Sequence, residues 1–111
     1  MVKNYFDLIP IINMENTWEI NEQNVVVIQA QKKGFLNRMA VCFFNRSDKV
    51  EIELDGYGSF VWQKINGQKS ISEIVEEISK ELGEEIELAS KRAAMFFEML
   101  RMHRLIQFLK E

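Results

Sequence analysis

The sequence predicts an α+β domain, with a small antiparallel sheet in its first half and three helices in its second half. Three observations support this prediction: strand-like runs lie between residues 25 and 54, helix-start and helix-stop signals lie between residues 55 and 83, and an amphipathic stretch ends near residue 103. At 111 residues, of which 47% are hydrophobic, the chain is long enough for one domain with a modest core.

Three segments of the first half are predicted strands. VVVIQA (25–30) is β-branched, MAVCFF (39–44) is apolar, and KVEIEL (49–54) alternates strictly between charged and apolar residues. Turn residues are frequent in the segments between them, so we expect the strands to form an antiparallel sheet. The stretch from Trp18 to Ile20 is a candidate for one more strand. We leave residues 1–16 unassigned.

Two glycines, Gly56 and Gly58, stand between the last predicted strand and the first predicted helix. A Gly-x-Gly after a strand occurs in phosphate-binding loops, but here a third glycine and a Lys-Ser/Thr pair are missing, and the strand belongs to an antiparallel sheet. We therefore assign the glycines to the fold. Asp55 caps the incoming helix, and the glycines let the chain turn sharply and let Phe60 and Trp62 pack close to the sheet.

The first two helices have clear ends. The first is predicted over 58–65 and stops at Asn66-Gly67, because both residues tolerate a positive φ. The second begins with a capping box, in which Ser70 and Glu73 each accept a hydrogen bond from the other's backbone N–H, and it stops at Gly83. Its apolar residues recur at helical spacing, at Ile71, Ile74, Val75, Ile78 and Leu82.

The third predicted helix runs from about Leu88 to His103, and LIQFL after it is either a closing strand or the end of the helix. One apolar stripe suffices to bury this helix, and a second row of methionines lies beside it. Flexible, polarisable methionines suit a groove that accepts varied apolar side chains; alternatively they complete the core or a homodimer contact. The stripe comprises Ala93, Phe96, Phe97 and Leu100, and the methionine row comprises Met95, Met99 and Met102.

The composition argues against two classes of partner. The net charge of −3 and a pI of about 5.3 are opposite to what a phosphate backbone attracts, so we expect no nucleic-acid partner. No stretch approaches the ~20 apolar residues that span a bilayer, and the first residues lack the pattern of a signal peptide. We therefore expect no membrane partner and a cytoplasmic protein.

The residue inventory argues against a catalyst and a metal site. The one cysteine, Cys42, lies within an apolar run and is expected to be buried and inert. The one histidine, His103, is expected to stabilise the C-terminus of the third helix, and with one distant cysteine it cannot complete a zinc site. No nucleophile or carboxylate pair is singled out, so we do not expect an enzyme.

Several scaffold features follow one another along the chain. The first is a strand that ends in Leu-Asp, followed by a glycine, an apolar residue next to a tryptophan, and an Asn-Gly turn. After these come a Ser-capped, Ile-rich helix and a last helix with a leucine near its end, followed by a Leu-Ile pair. They fall on Leu54-Asp55, Gly58, Val61-Trp62, Asn66-Gly67, Ser70 to Ile74, and Leu100 with Leu105-Ile106. In this order they resemble the PqqD family, from which Asn66 departs because Asp is commoner there. We divide the chain into an unassigned N-terminal extension (1–24) and a PqqD-like peptide-binding domain (25–109).

The resemblance implies a fold and a function. The family fold is a three-stranded sheet followed by three helices, a winged-helix-like unit known as the RiPP recognition element. Such a domain binds the leader of a ribosomally made precursor peptide and presents the peptide to a modifying enzyme, often a radical S-adenosylmethionine enzyme. The resemblance therefore implies a peptide-binding chaperone without catalytic activity or cofactor.

Binding by strand addition requires an exposed sheet edge beside an apolar surface. The strand at 49–54 is our candidate edge, because its charges are typical of an edge that avoids pairing with its own copies, although solvated edge charges also occur on sheets that bind nothing. We predict that the leader pairs with residues 50–54 and lays its apolar side chains on the methionine row. The predicted peptide-binding residues are Val50, Glu51, Ile52, Glu53, Leu54, Lys91, Arg92, Met95, Met99 and Met102.

Opposite charges collect on the last two predicted helices. Seven glutamates but only one lysine, Lys80, lie from Glu73 to Glu87. A basic third helix would steer an acidic leader toward it, whereas the plain alternative is two solvated faces. The basic residues on the third helix and its exit are Lys91, Arg92, Arg101 and Arg104.

Two other functions compete with peptide delivery. The first is a structural subunit that docks onto a larger protein through the methionine row. The second is a winged-helix DNA-binding protein, since two helices beside a small sheet superficially fit a helix-turn-helix. The acidic composition argues against DNA binding. So does the third helix, since a recognition helix needs clustered Lys and Arg and here Met95, Phe96 and Met99 occupy much of its surface.

Overall fold

The architecture is α+β, with a three-stranded antiparallel sheet and three α-helices, as predicted. The structure, a computed structural model, describes residues 4–31 and 49–109. A 3-10 helix (Tyr5–Asp7) comes first. The strands and helices that follow are β1 (Ile9–Ile12), β2 (Thr17–Ile20), β3 (Val26–Gln31), β4 (Lys49–Glu53), α1 (Gly56–Trp62), α2 (Ile71–Leu82), α3 (Ile86–Met102) and β5 (Ile106–Leu109).

The three-stranded sheet has the order β2-β3-β4. In its register Trp18 lies opposite Ile28, and Ile28 lies opposite Ile52. The candidate strand at Trp18–Ile20 is therefore confirmed as part of β2. β3 and β4 are direct neighbours, so the predicted strand at 39–44 does not separate them; that segment, with Cys42, lies outside the described residues.

A second, two-stranded sheet joins the two ends of the described chain. β1 pairs antiparallel with β5, with Ile12 opposite Ile106 and Ile9 opposite Leu109. The stretch LIQFL therefore contains a strand, which was one of its two predicted conformations. Its partner lies among residues 1–16, which the sequence left unassigned.

The β2–β3 turn fixes the register of this sheet edge. Asn21 N–H donates to the carbonyl of Val25 at 2.9 Å, and the Asn21 side chain accepts the N–H groups of Gln23 and Val25. Asn24 takes a left-handed conformation (φ 68°), which asparagine tolerates better than most residues. Because the turn is closed in this way, β2 and β3 cannot slip by one residue and exchange their faces.

The core lies between the three-stranded sheet and the helices. The predicted α3 stripe is largely confirmed, since Ala93, Phe97 and Leu100 are fully buried and Phe96 is half-buried. Leu82, predicted on the apolar face of α2, is instead 46% exposed, at the last turn of that helix. The other large, fully buried side chains are Val26, Ile28, Val61, Trp62, Ile71, Ile74, Ile78, Leu105 and Ile106.

α1 is held to the sheet by a buried hydroxyl. Ser59 Oγ accepts the N–H of Val26 at 2.9 Å and donates to the carbonyl of Leu54 at 3.5 Å, so it stands between two groups that would otherwise bond directly across β3 and β4. A buried main-chain N–H without a partner costs about 1–3 kcal/mol, and the serine avoids this cost. The predicted cap is confirmed, because Asp55 Oδ1 accepts the N–H of Gly58 at 2.7 Å.

The boundaries of α1 differ from the prediction of 58–65. The helix begins two residues earlier and ends at Trp62, after which Ile65 N–H bonds to the Trp62 carbonyl in a tighter turn. Gly67 has a positive φ (79°) as expected, but Asn66 does not. Instead, the Asn66 side chain accepts the N–H groups of the two residues after Gly67, Gln68 and Lys69, and stabilises the turn in that way.

α2 has the termini that the sequence predicts. Ser70 N–H donates to Glu73 Oε1 at 2.8 Å, and Glu73 N–H donates to Ser70 Oγ at 3.2 Å, so the capping box is confirmed. Gly83 ends the helix in the left-handed conformation (φ 69°).

The N-terminal 3-10 helix contacts α3 through a polar network. The Tyr5 hydroxyl donates to Glu98 Oε2 at 3.2 Å, and Arg101 Nη2 donates to Glu98 Oε1 at 2.8 Å. The hydrogen bonds from Arg101 lower the pKa of Glu98, and burial raises the pKa of Tyr5 above its usual value. At neutral pH the pair is therefore a neutral phenol and a carboxylate, and it ties residues near the N-terminus to the helix that carries the methionine row.

Candidate peptide-binding site

The predicted binding strand lies at an edge of the sheet. β4 pairs with β3 on one side, and among residues 4–31 and 49–109 no strand pairs with its other side. Leu54 N–H donates to the Val26 carbonyl at 3.0 Å, so these two residues stand at a hydrogen-bonded position of the antiparallel ladder, although Ser59 Oγ replaces the second bond of the pair. Such pairs recur at every second residue, and the register therefore makes Ile52 and Ile28 the next one.

The free main-chain groups of β4 belong to alternate residues. Val50 and Ile52 point their N–H and C=O groups toward β3, so those of Glu51 and Glu53 point away from it. Within the described part of the chain, no hydrogen bond uses these outward groups. We predicted that the leader pairs with residues 50–54. Within this range the register leaves the main-chain groups of Glu51 and Glu53 available, because an antiparallel ladder uses every second residue of a strand.

The side chains of β4 alternate as the sequence predicts. Ile52 is half-buried and Leu54, just past the end of the strand, is 6% exposed, and both pack with the core. Glu51 and Glu53 are exposed on the opposite face, where Gln29 Nε2 donates to Glu51 Oε2 at 3.2 Å. A strand added to this edge would therefore turn every second side chain toward the helices and the others toward the glutamates.

α3 crosses the corner between β4 and α1 at close range. Phe96 packs against Tyr57 with ring centroids 6.1 Å apart, and its Cε1 lies only 3.0 Å from where a Cβ would stand on Gly58. That position is also 3.3 Å from Leu54 Cβ, so Gly58 permits a three-way contact that any larger residue would disturb. The close neighbours of this position are thus Asp55 Oδ1, Phe96 and Leu54. Gly56, by contrast, has open space around it and no positive φ.

The methionine row lies on the surface of α3, next to this corner. Met95 is 74% exposed, Met99 38% and Met102 67%. The interpretation that these methionines complete the core of the chain is therefore wrong, whereas a homodimer contact stays a prediction. On the helix, the row adjoins Phe96 and Arg92, the two α3 residues that contact Tyr57.

The charges around the row are more paired than the sequence suggests. Arg92 forms an ion pair with Glu84, and its guanidinium stacks 4.1 Å from the centroid of the Tyr57 ring. Arg101 bonds to Glu98, whereas Lys91 is exposed. The predicted basic helix is thus partly neutralised, so steering of an acidic leader has less support. The same pairing weakens the DNA-binding alternative, which needs unpaired cations.

Two residues of this surface were missed by the sequence analysis. Tyr57, in α1, packs against Phe96 of α3 and carries the stacked Arg92, but a tyrosine in the first turn of a helix gives no signal of such a contact. Burial raises the pKa of Tyr57, so it stays a neutral ring under Arg92. Leu88 is 49% exposed and extends the methionine row toward the start of α3; its spacing of seven residues before Met95 could have revealed it.

The described residues contain no group of three or more His, Cys, Asp or Glu side chains that could hold a metal ion. None of the helices in the same part of the chain is long and apolar enough to cross a membrane. The described residues do offer an open strand edge at β4 and an exposed row of methionines on α3.

A comparison with known protein families shows to which family the chain belongs. The family model described as coenzyme PQQ synthesis protein D (PqqD) matches residues 43–106, more than half of the chain. The chain belongs to the PqqD family. Membership supports a role in peptide recognition in general, as an accessory protein that binds a precursor peptide and partner enzymes, rather than a catalyst. No curated protein and no solved structure gives a significant match.

The PqqD match covers the candidate site and little of the N-terminal half. It includes β4, the three helices and the start of β5, and hence every predicted peptide-binding residue. β1, β2 and β3 lie before it. The match therefore includes one edge strand of the sheet, β4, whereas the opposite edge strand, β2, lies outside it.

Proposed function

We propose that this PqqD-family chain binds the leader of a ribosomally made precursor peptide by adding it as a fourth strand beside β4. The observation that carries this proposal is the combination of outward-pointing main-chain groups at Glu51 and Glu53 with the exposed methionine row on α3. Main-chain hydrogen bonds provide affinity for any extended guest, and the apolar helix face selects among guests.

The geometry favours one kind of leader. In an extended guest every second side chain faces the helices, so these residues should be apolar and adaptable to methionine. The intervening residues face the exposed carboxylates of Glu51 and Glu53, where acidic residues would be repelled. A leader with apolar residues at i, i+2 and i+4 and with few acids between them is therefore the expected ligand.

The bound leader is delivered to a modifying enzyme, of the radical S-adenosylmethionine type. Strand addition fixes only a short extended segment, so the rest of the precursor stays free to reach another protein. A chain that tethers the precursor raises the local concentration of its core segment at the enzyme without taking part in the reaction. This division of labour agrees with an accessory protein without catalytic machinery.

A titration with the two halves of the precursor tests the proposal. The short precursor peptide encoded nearest to the gene of this chain is synthesised as separate leader and core segments, and each is added to the labelled protein. We expect the leader to bind saturably and the core segment not to bind, because only the leader carries the strand. Equal binding of both halves, or binding of neither, would contradict the proposal.

A further inference from the structure

The sheet has a second open edge, at β2. All four residues of β2 are exposed, and within the described residues β2 pairs only with β3. Asn21 and Val25 form a hydrogen-bonded pair, so the register places the N–H and C=O groups of Trp18 and Ile20 on the side that faces away from β3. No described residue hydrogen-bonds to these outward groups. This edge is as open as the one at β4.

Beside this edge lies an apolar groove. Trp18 and Ile20, which are 38% and 43% exposed, lie opposite the buried Ile28 and Val26 and so share the helix side of the sheet. The Trp18 ring packs edge-on against the buried Trp62 ring, with centroids 6.0 Å apart. A groove of about 480 Å³ continues from Trp18 to the loop after α1. Its lining includes Ile11, Met14, Thr17, Trp18, Ile65 and Asn66, of which Met14 is 91% exposed.

The charged residues of the segment that contains this edge have one sign. Between residues 4 and 31 the chain has four carboxylates and no lysine, arginine or histidine. Glu19 is exposed and lies on the face of β2 opposite Trp18 and Ile20. A strand placed beside β2 would thus have its alternate side chains in an apolar groove and the others next to the Glu19 carboxylate. The four carboxylates are Asp7, Glu15, Glu19 and Glu22.

We propose that the β2 edge is a docking surface for an extended segment of a partner protein in which apolar and basic residues alternate. The apolar residues fill the groove beside Trp18, and the basic residues lie beside Glu19. β2 and β4 are opposite edges of one sheet, so this segment and a peptide on β4 can be bound at the same time. The proposal does not depend on the leader site.

A designed peptide tests this proposal. The probe is a short capped peptide of alternating valine and lysine, and the matched peptide has glutamate in place of lysine. Trp18 is partly exposed whereas Trp62, the other tryptophan, is buried, so shielding of tryptophan fluorescence from acrylamide reports on the β2 edge. We expect the lysine peptide to bind, to shield Trp18 from acrylamide and to lose affinity as salt is added. The glutamate peptide should not bind.

Two variants on β2 should weaken this binding, and two control variants should leave it unchanged. Ile20→Pro removes an outward N–H without breaking the ladder to β3, so it should lower the affinity for the lysine peptide about fivefold. Ile20→Thr keeps that N–H and should bind the peptide with unchanged affinity. Glu19→Lys, on an exposed side chain, should weaken binding at low salt, and it decides the outcome if Ile20→Pro does not fold. Glu51→Pro, at the other edge, should leave this binding unchanged.

The results that would contradict binding at β2 differ from the results that would contradict leader binding at β4. Equal binding of the glutamate peptide, or loss of binding in Glu51→Pro but not in Ile20→Pro and Glu19→Lys, would overturn the assignment of β2. So would a wild-type dimer in sedimentation that Ile20→Pro converts to a monomer without any peptide, because a second copy would then occupy the edge. The leader titration is a separate measurement, so failure of one proposal leaves the other standing.

Discussion

Met95→Glu combined with Met99→Glu should weaken leader binding about a hundredfold and leave the fold intact. Each methionine contributes about 1.5 kcal/mol when a guest side chain covers it, so the loss of both corresponds to roughly two orders of magnitude in Kd. Both side chains are exposed on α3, at 74% and 38%, and are not part of the buried core. Fluorescence anisotropy of a labelled leader measures the affinity, and circular dichroism checks that the helix content is unchanged.

The control for this variant adds the same charge elsewhere. Gln68 and Gln107 are exposed and lie outside the candidate site, in the loop before α2 and on β5, so Gln68→Glu with Gln107→Glu matches the change in net charge. The control should bind the leader within about twofold of the unchanged protein, as is usual for a surface substitution away from a binding site. An equal loss in both proteins would mean that net charge, not the methionine row, governs binding. Unchanged affinity of the methionine variant would exclude the row from the site.

Glu51→Pro should weaken leader binding about tenfold, because proline removes the outward N–H that the guest needs and its ring obstructs the approach of a strand. The ladder between β3 and β4 should survive, since the Glu51 N–H points away from β3. Titration of the labelled leader measures the effect, and a thermal melt confirms that the sheet is intact.

The matched variant for this position is Glu51→Thr. It removes the same carboxylate and retains the N–H, and threonine suits a strand. We expect it to bind the leader almost as the unchanged protein does. If the threonine and proline variants bind equally, the main-chain hydrogen bond at Glu51 contributes nothing and strand addition at β4 is wrong.

Local patterns predict much of the helical half of this fold. The capping box at Ser70 and Glu73 involves residues three apart, so the sequence contains all the information that the contact needs. The same holds for the buried stripe of α3 and for the alternation of β4, which follow from helix and strand periodicity. The Asp55 cap was predictable for the same reason.

Long-range pairing is what the sequence could not supply. β1 has four residues and pairs with β5 at the other end of the chain, and no local signal specifies a partner at that distance. The order of strands decides which edges are open, and it depends on the direct pairing of β3 with β4 across a long connection. Likewise, Arg92 was predicted to be an available cation, whereas it pairs with Glu84 and stacks on Tyr57, two residues on other elements.

The central claim is that a leader peptide pairs with the open edge of β4, and amide hydrogen exchange tests it most directly. In the free protein the amides of Glu51 and Glu53 should exchange quickly and that of Ile52 slowly, because only the Ile52 N–H points toward β3. Addition of the leader should slow exchange at Glu51 and Glu53 and leave Trp18 and Ile20 unchanged. Protection of Glu51 and Glu53 before the leader is added, or fast exchange at both in the saturated complex, would contradict the account.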